Sequence, residues 1–347
     1  MRTNGGVRSE GGIMKNELFW CLGCNYVSLG KRCPSCRSEA AKVRSSNGRL
    51  VPAFKPDIDA IRTAADIFGE GCGKELIPDA NTVILGLKDN GDADVISYGA
   101  VIAQYVNKKV VITLAGMKVM APKIRKFYVR CDHDSAHFVK MGRNLMASGI
   151  SEAGPFAAGD RLAIFDERGA VIAMGIAKMS SEEIDSADRG VAVKVKGSDP
   201  SRYAQGKQKR SWKESVDVNS AILTTKYGDS IKNIRNLSST YGCPVVIEMT
   251  DDIRSTARLL LVLNAGLTPS VQSPGSEFID FQMEKYSLKA FDPKGGRRMV
   301  ITDRKDSEDP DEILHDPIEE WDDISAWMYV MRKAEPFDTA YMRGLLS

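Results

Sequence analysis

The chain has 347 residues, 43% of them apolar and 27% charged, a balance that excludes an intrinsically disordered protein and leaves room for two or three domains. Lys and Arg number 48 against 46 Asp and Glu, so the formal charge of +2 is too small to single out nucleic acid as a partner and the placement of charge matters more. No apolar run approaches the roughly 18 residues that cross a bilayer, and "MRTNGGVRSEGGIMKN" at the start lacks the apolar stretch of a secretory leader; a cytoplasmic protein without a membrane partner is expected.

Residues 1–16 are polar and Gly-rich, which predicts a flexible N-terminus. "CLGCNYVSLGKRCPSC" comes next, with Cys21, Cys24, Cys33 and Cys36 in a C-x2-C-x8-C-x2-C arrangement. Two such knuckles can bring four thiolates to one tetrahedral Zn²⁺ at about 2.3 Å each, and Gly23 and Pro34 suit the tight turns. A closed, structural zinc ribbon over residues 17–50 is expected. The alternative is a redox pair of C-x2-C motifs, but no helix pattern opens after either one. Ligation should stabilise residues 17–40 locally, since later domains have cores of their own. Cys72, Cys131 and Cys243 stand alone and read as small buried residues.

Residues 51–122 read as an α+β unit that docks the ribbon to the next domain. "DIDAIRTAADIFGEGCG" has a helical period, and "NTVILGLK", "DVISYGAVIAQYV" and "KKVVITLA" each read as one strand, the first two joined by "DNGDA". Residues 105–145 are rich in base (Lys108, Lys109, Lys118, Lys123, Arg125, Lys126, Arg130, Lys140 and Arg143), which suggests an anionic partner. Within 123–198 a strand over Phe127–Arg130 leads to a short helix capped by Asp132 or Asp134, then a Gly-containing strand. A hairpin comes after it, with "RLAIF" and "AVIAMGIAKM" flanking "DERG", where Gly169 can take positive φ. His133 and His137 are four apart on that helix, but no third ligand has suitable spacing, so a capped surface helix is expected.

From "KMGRNLMASGI", "GDRLAIFDERG", "IAMGIAKMS" and "GVAVKVK", residues 127–197 resemble a PUA domain, a small pseudo-barrel that binds structured RNA. In that family RNA lies against the first helix and the glycine-bearing strand after it. The resemblance implies an RNA interface at Lys140, Gly142 and Arg143, with Lys178 nearby, the basic side chains contacting phosphates.

Residues 199–213 read as a basic linker. Over 214–347, "SAILTTKYGDSIKNIRNLSSTYG" has helical periodicity, "PVVIEM" suits a central parallel strand, and "STARLLLVLNAG" a second helix closed by Gly266, an order belonging to doubly wound α/β folds. "YGCPVVIEMTDDIRSTARLLLVLNAG" is similar to the nucleotide-binding core of phosphoadenosine phosphosulfate reductases and their PP-loop relatives. "DPIEEWDDISAWMYVMRKAEPFDTAYMRGLLS" resembles the same family's P-I-x-x-W segment, W-x-Y helix and P-x-x-x-x-Y-x-x-G turn. Zinc ribbon, PUA domain and reductase-like domain in this order resemble an archaeal group of fused proteins.

The departures point away from catalysis. The family's S-G-G-x-D-S loop falls on Thr250, Asp251, Asp252, Ile253, Arg254 and Ser255, so both glycines are gone. The acidic strand motif of the family is reduced to "SPGSEF", and relatives continue beyond the position of Ser347 into a cysteine-bearing end. Two unit charges 4 Å apart interact with about 1 kcal/mol in water and about 4 at an effective dielectric of 20, so Asp251 and Asp252 facing a polyphosphate would repel it. They suit capping of the helix instead, with Arg254 either a phosphate ligand or a partner of its acidic neighbours.

The expected protein is therefore a multidomain α/β and β chain: zinc ribbon, α+β unit, PUA pseudo-barrel and a degenerate PP-loop-like domain. It is expected to bind tRNA or rRNA, with the last domain as scaffold or partner surface. One alternative is a PP-loop enzyme of RNA thiolation or sulfonucleotide reduction. Another is a non-catalytic, ribosome-associated subunit whose acidic stretch at 303–323 engages a basic protein.

Overall fold

The computed structural model describes residues 17–43, 48–79, 81–187, 189–198, 203, 210–293 and 296–338. The expected flexible N-terminus, most of the expected linker at 199–213 and the end of the P-x-x-x-x-Y-x-x-G segment lie outside the described residues. Four sheets organise the rest.

The cysteine knuckles belong to a three-stranded antiparallel sheet, in which Trp20 lies opposite Val27 on one side and Ala41 on the other. The next sheet is a five-stranded antiparallel meander: Arg49–Pro52, Ile84–Leu87, Ala93–Ser97, Ala100–Val106 and Lys109–Ile112. "DVISYGAVIAQYV" is thus a hairpin rather than one strand. Ser97 pairs with Ala100, and Tyr98 (φ 55°) and Gly99 (φ 76°) form the two-residue turn that right-twisted strands prefer. A Cβ on Gly99 would lie 2.6 Å from a Leu22 methyl group, so the turn also needs glycine for close packing on the ribbon. "KKVVITLA" likewise ends at Ile112, where Thr113 accepts from the Gly116 N–H and caps the helix Leu114–Met120.

The meander is buried on both faces, and its period-two alternation sends neighbouring residues to two different cores. Val51, Leu85, Val95 and Ile102 pack with Ile61, Ala65, Leu76 and Met117 of the helical layer. Leu50, Ile84 and Ile96, on the other face, share a core with Leu18, Trp20 and Val27 of the ribbon and with Val216, Leu223, Ile324 and Met328 from three C-terminal helices. The ribbon therefore shares its core with the meander and the C-terminal helices. Three strands cannot bury Trp20 by themselves, and each fully buried large side chain is worth about 1.5–3 kcal/mol.

Residues 128–197 form a six-stranded sheet in the order Leu145–Met146, Val191–Gly197, Val171–Ala177, Arg161–Phe165, Tyr128–Cys131, Ile150–Ala153. All pairings are antiparallel except Tyr128–Cys131 with Arg161–Phe165. The helix His133–Lys140 closes one side through Ala136 and Val139, which join Val129, Leu162, Ile164 and Val193 in a separate core.

Beyond Arg210 the chain forms the helices Trp212–Val218, which starts inside the stretch expected to be linker, and Ser220–Tyr241, closed by Gly242 at φ 58°. The last sheet is five-stranded and wholly parallel, in the order Lys289–Ala290, Ser270–Gln272, Val245–Glu248, Arg298–Ile301, Glu312–His315. "PVVIEM" is thus the central strand, and the strand order reverses beside it. At such a reversal, outside the carboxyl ends of the strands, α/β proteins place ligands.

Candidate functional site

Each of the two cysteine knuckles ends on a residue of left-handed backbone, Asn25 (φ 58°) and Arg37 (φ 62°). The Asn25 N–H donates to the Cys21 carbonyl and the Arg37 N–H to the Cys33 carbonyl, both at 2.8 Å, so the knuckles repeat one another. The four sulfur atoms lie within 4.8 Å of one another, Cys21 Sγ and Cys36 Sγ at 3.6 Å. Ligands about 2.3 Å from a tetrahedral ion stand about 3.8 Å apart, so the four cysteines fit a metal such as zinc. The Cys24 N–H points at Cys21 Sγ at 3.4 Å, a donor suited to a thiolate. Burial pushes the Cys21 thiol up to about 12, whereas hydrogen bonds from Ser38 bring Cys36 down to about 6. A bound cation offsets such burial by stabilising the thiolates. Among the described residues this is the one cluster of metal-binding side chains. His133 is instead bonded to Glu167 at 2.9 Å, and His137 rests edge-on against Phe138. Cys72 and Cys131 are buried and Cys243 half-buried.

The second site surrounds the helix His133–Lys140. Asp132 Oδ1 accepts from the Ser135 N–H at 2.7 Å and starts it. Gly142, at φ 81°, ends it by donating to the Val139 carbonyl. Gly142 is therefore a helix terminator in a loop and not part of a strand. The glycine next to the strand Ile150–Ala153 is Gly149, whose carbonyl accepts from the Asp132 N–H. A Cβ there would come within 2.1 Å of Ser135 Oγ, so only glycine lets the helix lie this close.

Because Ala136 and Val139 face the core, Phe138 and Met141 project outward, 45% and 54% exposed. Arg143 folds its guanidinium over the Phe138 ring at 5.4 Å. Ser135, Phe138, Arg143, Asn144, Leu145 and Met146 line a cavity of about 240 Å³. The predicted basic residues do not converge on it equally. Arg143 lines it and Gly142 precedes Arg143 in the chain, while Lys140 is exposed but leans toward Asp166 at 3.6 Å. Lys178 is exposed just past the strand Val171–Ala177, its N–H donating to the Ala192 carbonyl. Phe138, Met141 and Met146 were missed by sequence reasoning. The signal was present, since Phe138 is out of phase with the Ala136 and Val139 stripe.

The family model of the PUA domain matches residues 127–198. This part of the chain is a PUA domain. An uncharacterized protein of Methanocaldococcus jannaschii is 27% identical over 271 residues, which cover 73% of this chain and 56% of that one, so the chain spans about half the length of that relative. Among solved structures, a conserved PUA domain protein from Thermoplasma acidophilum is similar over 44% of this chain and 95% of its own, at 15% identity and a TM-score of 0.37. A hypothetical protein from Pyrococcus horikoshii OT3 is similar over 46% and 96%, at 20% identity and a TM-score of 0.36.

The third site is the turn at the carboxyl end of the central parallel strand. Asp252 Oδ1 accepts from the Ser255 N–H at 2.8 Å and caps the helix Ile253–Asn264, and its Oδ2 accepts from Thr250 Oγ1 at 2.7 Å. Asp251 does not share this work; it accepts from Ser276 Oγ, the cap of the next helix. Ser255 is fully buried, and its Oγ accepts from the Thr250 N–H. Arg254, which the sequence left as either phosphate ligand or acid partner, points away from the turn. It donates to the carbonyls of Trp321 and Ile318 at 2.7 and 2.8 Å, with Asp316 and Asp323 just under 4 Å away. The Ser255 N–H at the helix terminus is thus taken from within by Asp252, where a phosphate-binding loop would leave it open.

Part of the acidic stretch at 303–323 is engaged internally. Asp309 and Glu312 bind Arg298, Glu312 also binds Arg304, Asp316 binds Arg258, and Asp323 accepts from the Leu50 N–H. Among the described residues no helix is long and apolar enough to cross a membrane.

Proposed function

We propose that the protein is a cytoplasmic, zinc-containing RNA-binding protein that engages tRNA or rRNA through its PUA domain, with the C-terminal α/β unit as scaffold. The observation carrying this reading is that the matched segment presents an exposed aromatic and basic rim on its first helix. Phe138 offers a flat face, and Met141 and Met146 flexible apolar surface, to unpaired bases, and Arg143, Lys140 and Lys178 offer charge to phosphates. Cys21, Cys24, Cys33 and Cys36 would hold zinc as a closed site, with no open position for a substrate.

In this reading Thr250, Asp251, Asp252, Arg254 and Ser255 are the remains of a nucleotide loop, now used for capping and packing. The parallel sheet with its central first strand supports descent from a PP-loop-like domain, and is the observation that favours the second reading, an enzyme of RNA thiolation or sulfonucleotide reduction. Crosslinking in cells with sequencing of the attached RNA tests both. A single tRNA class would favour the modification reading, rRNA a ribosome-linked role, and absence of enriched RNA would remove the first reading.

A further inference from the structure

The metal knuckle and the C-terminal α/β unit meet through side chains that grip backbone, and the grip falls on the knuckle itself. Arg210, just before the helix Trp212–Val218, donates from Nε to the carbonyl of Cys24 at 3.1 Å and lies 4.5 Å over the Tyr26 ring. Its own carbonyl accepts from Thr82 Oγ1 at 2.6 Å. Ser211 and Glu214 then close a reciprocal cap that starts the helix Trp212–Val218.

Asn219, between that helix and Ser220–Tyr241, is fully buried. It takes the Leu29 N–H on Oδ1 at 3.0 Å, and donates from Nδ2 to the carbonyls of Val27 and Ser215, both at 2.8 Å. A buried amide with all these bonds satisfied fixes two backbones against each other. Of the acceptors on the ribbon side, the Cys24 carbonyl belongs to the knuckle itself and the Val27 carbonyl to the strand Tyr26–Ser28 that follows it.

We propose that the four-cysteine centre is a clamp that seats the start of the α/β unit on the ribbon, so that metal occupancy sets how firmly Arg210 and the helices over 212–241 are held. The clamp rests on the reading of the four cysteines as a zinc site. Without the ion, four thiols with no cation to hold them together let the knuckle relax, and the Cys24 and Val27 carbonyls are no longer held in place. Loosening then extends to Val216 and Leu223, which share the core of Trp20, and not only to the ribbon. It should leave the separate core around Val129, Leu162 and Val193 untouched.

The test is amide hydrogen exchange on the full-length chain as purified, after stripping with a chelator, and after re-addition of Zn²⁺, with metal content measured in each sample. The expected result is exchange faster by about tenfold to a hundredfold over residues 212–225 in the stripped protein, reversed by Zn²⁺, with residues 128–197 unchanged. Asn219→Ala and Arg210→Ala should speed exchange over 212–225 while metal content stays at one per chain. Stripping that accelerates only residues 17–43 would overturn the clamp and leave the metal reading intact. Absence of metal from protein prepared without chelator would overturn both.

Discussion

Replacing Asp316 by Ala tests whether the arginines beside the turn at the end of the central parallel strand are structural. Arg258 is 3% exposed at its side chain, and Asp316, 7% exposed, receives its Nε and Nη2 at 3.1 and 3.2 Å. Burial opposes the guanidinium charge, but Asp316, helped by Asp303 and Asp252, offsets this and holds the Arg258 pKa above its ordinary value. The remaining partner, Asp303 at 3.4 Å, is 69% exposed and screened by water. Removing one member of a buried pair costs about 3–5 kcal/mol. The same carboxylate accepts from the Ile318 N–H at 3.1 Å, worth about 1 kcal/mol. Asp303 returns part of the loss, so a net cost of about 3–4 kcal/mol is expected. Hydrogen exchange over Leu259–Val262 is the assay, because it reports on this unit alone in a multidomain chain; exchange should rise by two to three orders of magnitude, at about 1.4 kcal/mol per tenfold. The double variant Arg258→Met with Asp316→Leu should recover most of the stability, since it leaves no unpaired buried charge. A cost below about 1 kcal/mol, the value of a surface pair, would refute the reasoning.

Further outcomes can be measured on the other sites. Asp252→Ala should cost about 1 kcal/mol through the lost cap, seen as a lowered urea midpoint, and the unaltered protein should bind neither ATP nor phosphoadenosine phosphosulfate more tightly than about 1 mM by calorimetry. Phe138→Ala with Met146→Ala should leave thermal stability within about 0.5 kcal/mol, because both side chains are exposed, yet weaken RNA binding by about 1–3 kcal/mol for each stacked base lost. Elemental analysis should find one zinc per chain, and Cys33→Ser should lose it, since the serine hydroxyl replaces a buried thiolate.

What could be read from the sequence was local. The C-x2-C spacing places four sulfurs together, the alternation in "RLAIF" and "AVIAMGIAKM" gives a hairpin about Gly169, and Asp252 before an apolar helix reads as its cap. What failed required knowledge of distant partners. Arg254 has acids beside it in sequence but binds carbonyls at Ile318 and Trp321, more than 60 positions away, and Asn219 meets Val27 and Leu29 across about 190. Gly142 drew attention through the resemblance carried by "KMGRNLMASGI", whereas the close approach that demands glycine is at Gly149 under Ser135. The Tyr98 and Gly99 turn was hidden by the β-forming residues on both sides, which read as one uninterrupted strand.

The central claim is that the rim of the PUA helix binds RNA phosphates, and the salt dependence of binding tests it most directly. Affinity of the full-length chain for a tRNA transcript and for an rRNA hairpin is measured between 50 and 200 mM salt, roughly the range over which counterion release is resolved, alongside Lys140→Ala with Arg143→Ala. Each lost phosphate contact should lower the slope of log K against log salt by about 0.7–0.9, so the double variant should bind at least one of these RNAs more weakly and with a slope shallower by about 1.4–1.8. Equal affinity and an unchanged slope for the double variant would contradict the account.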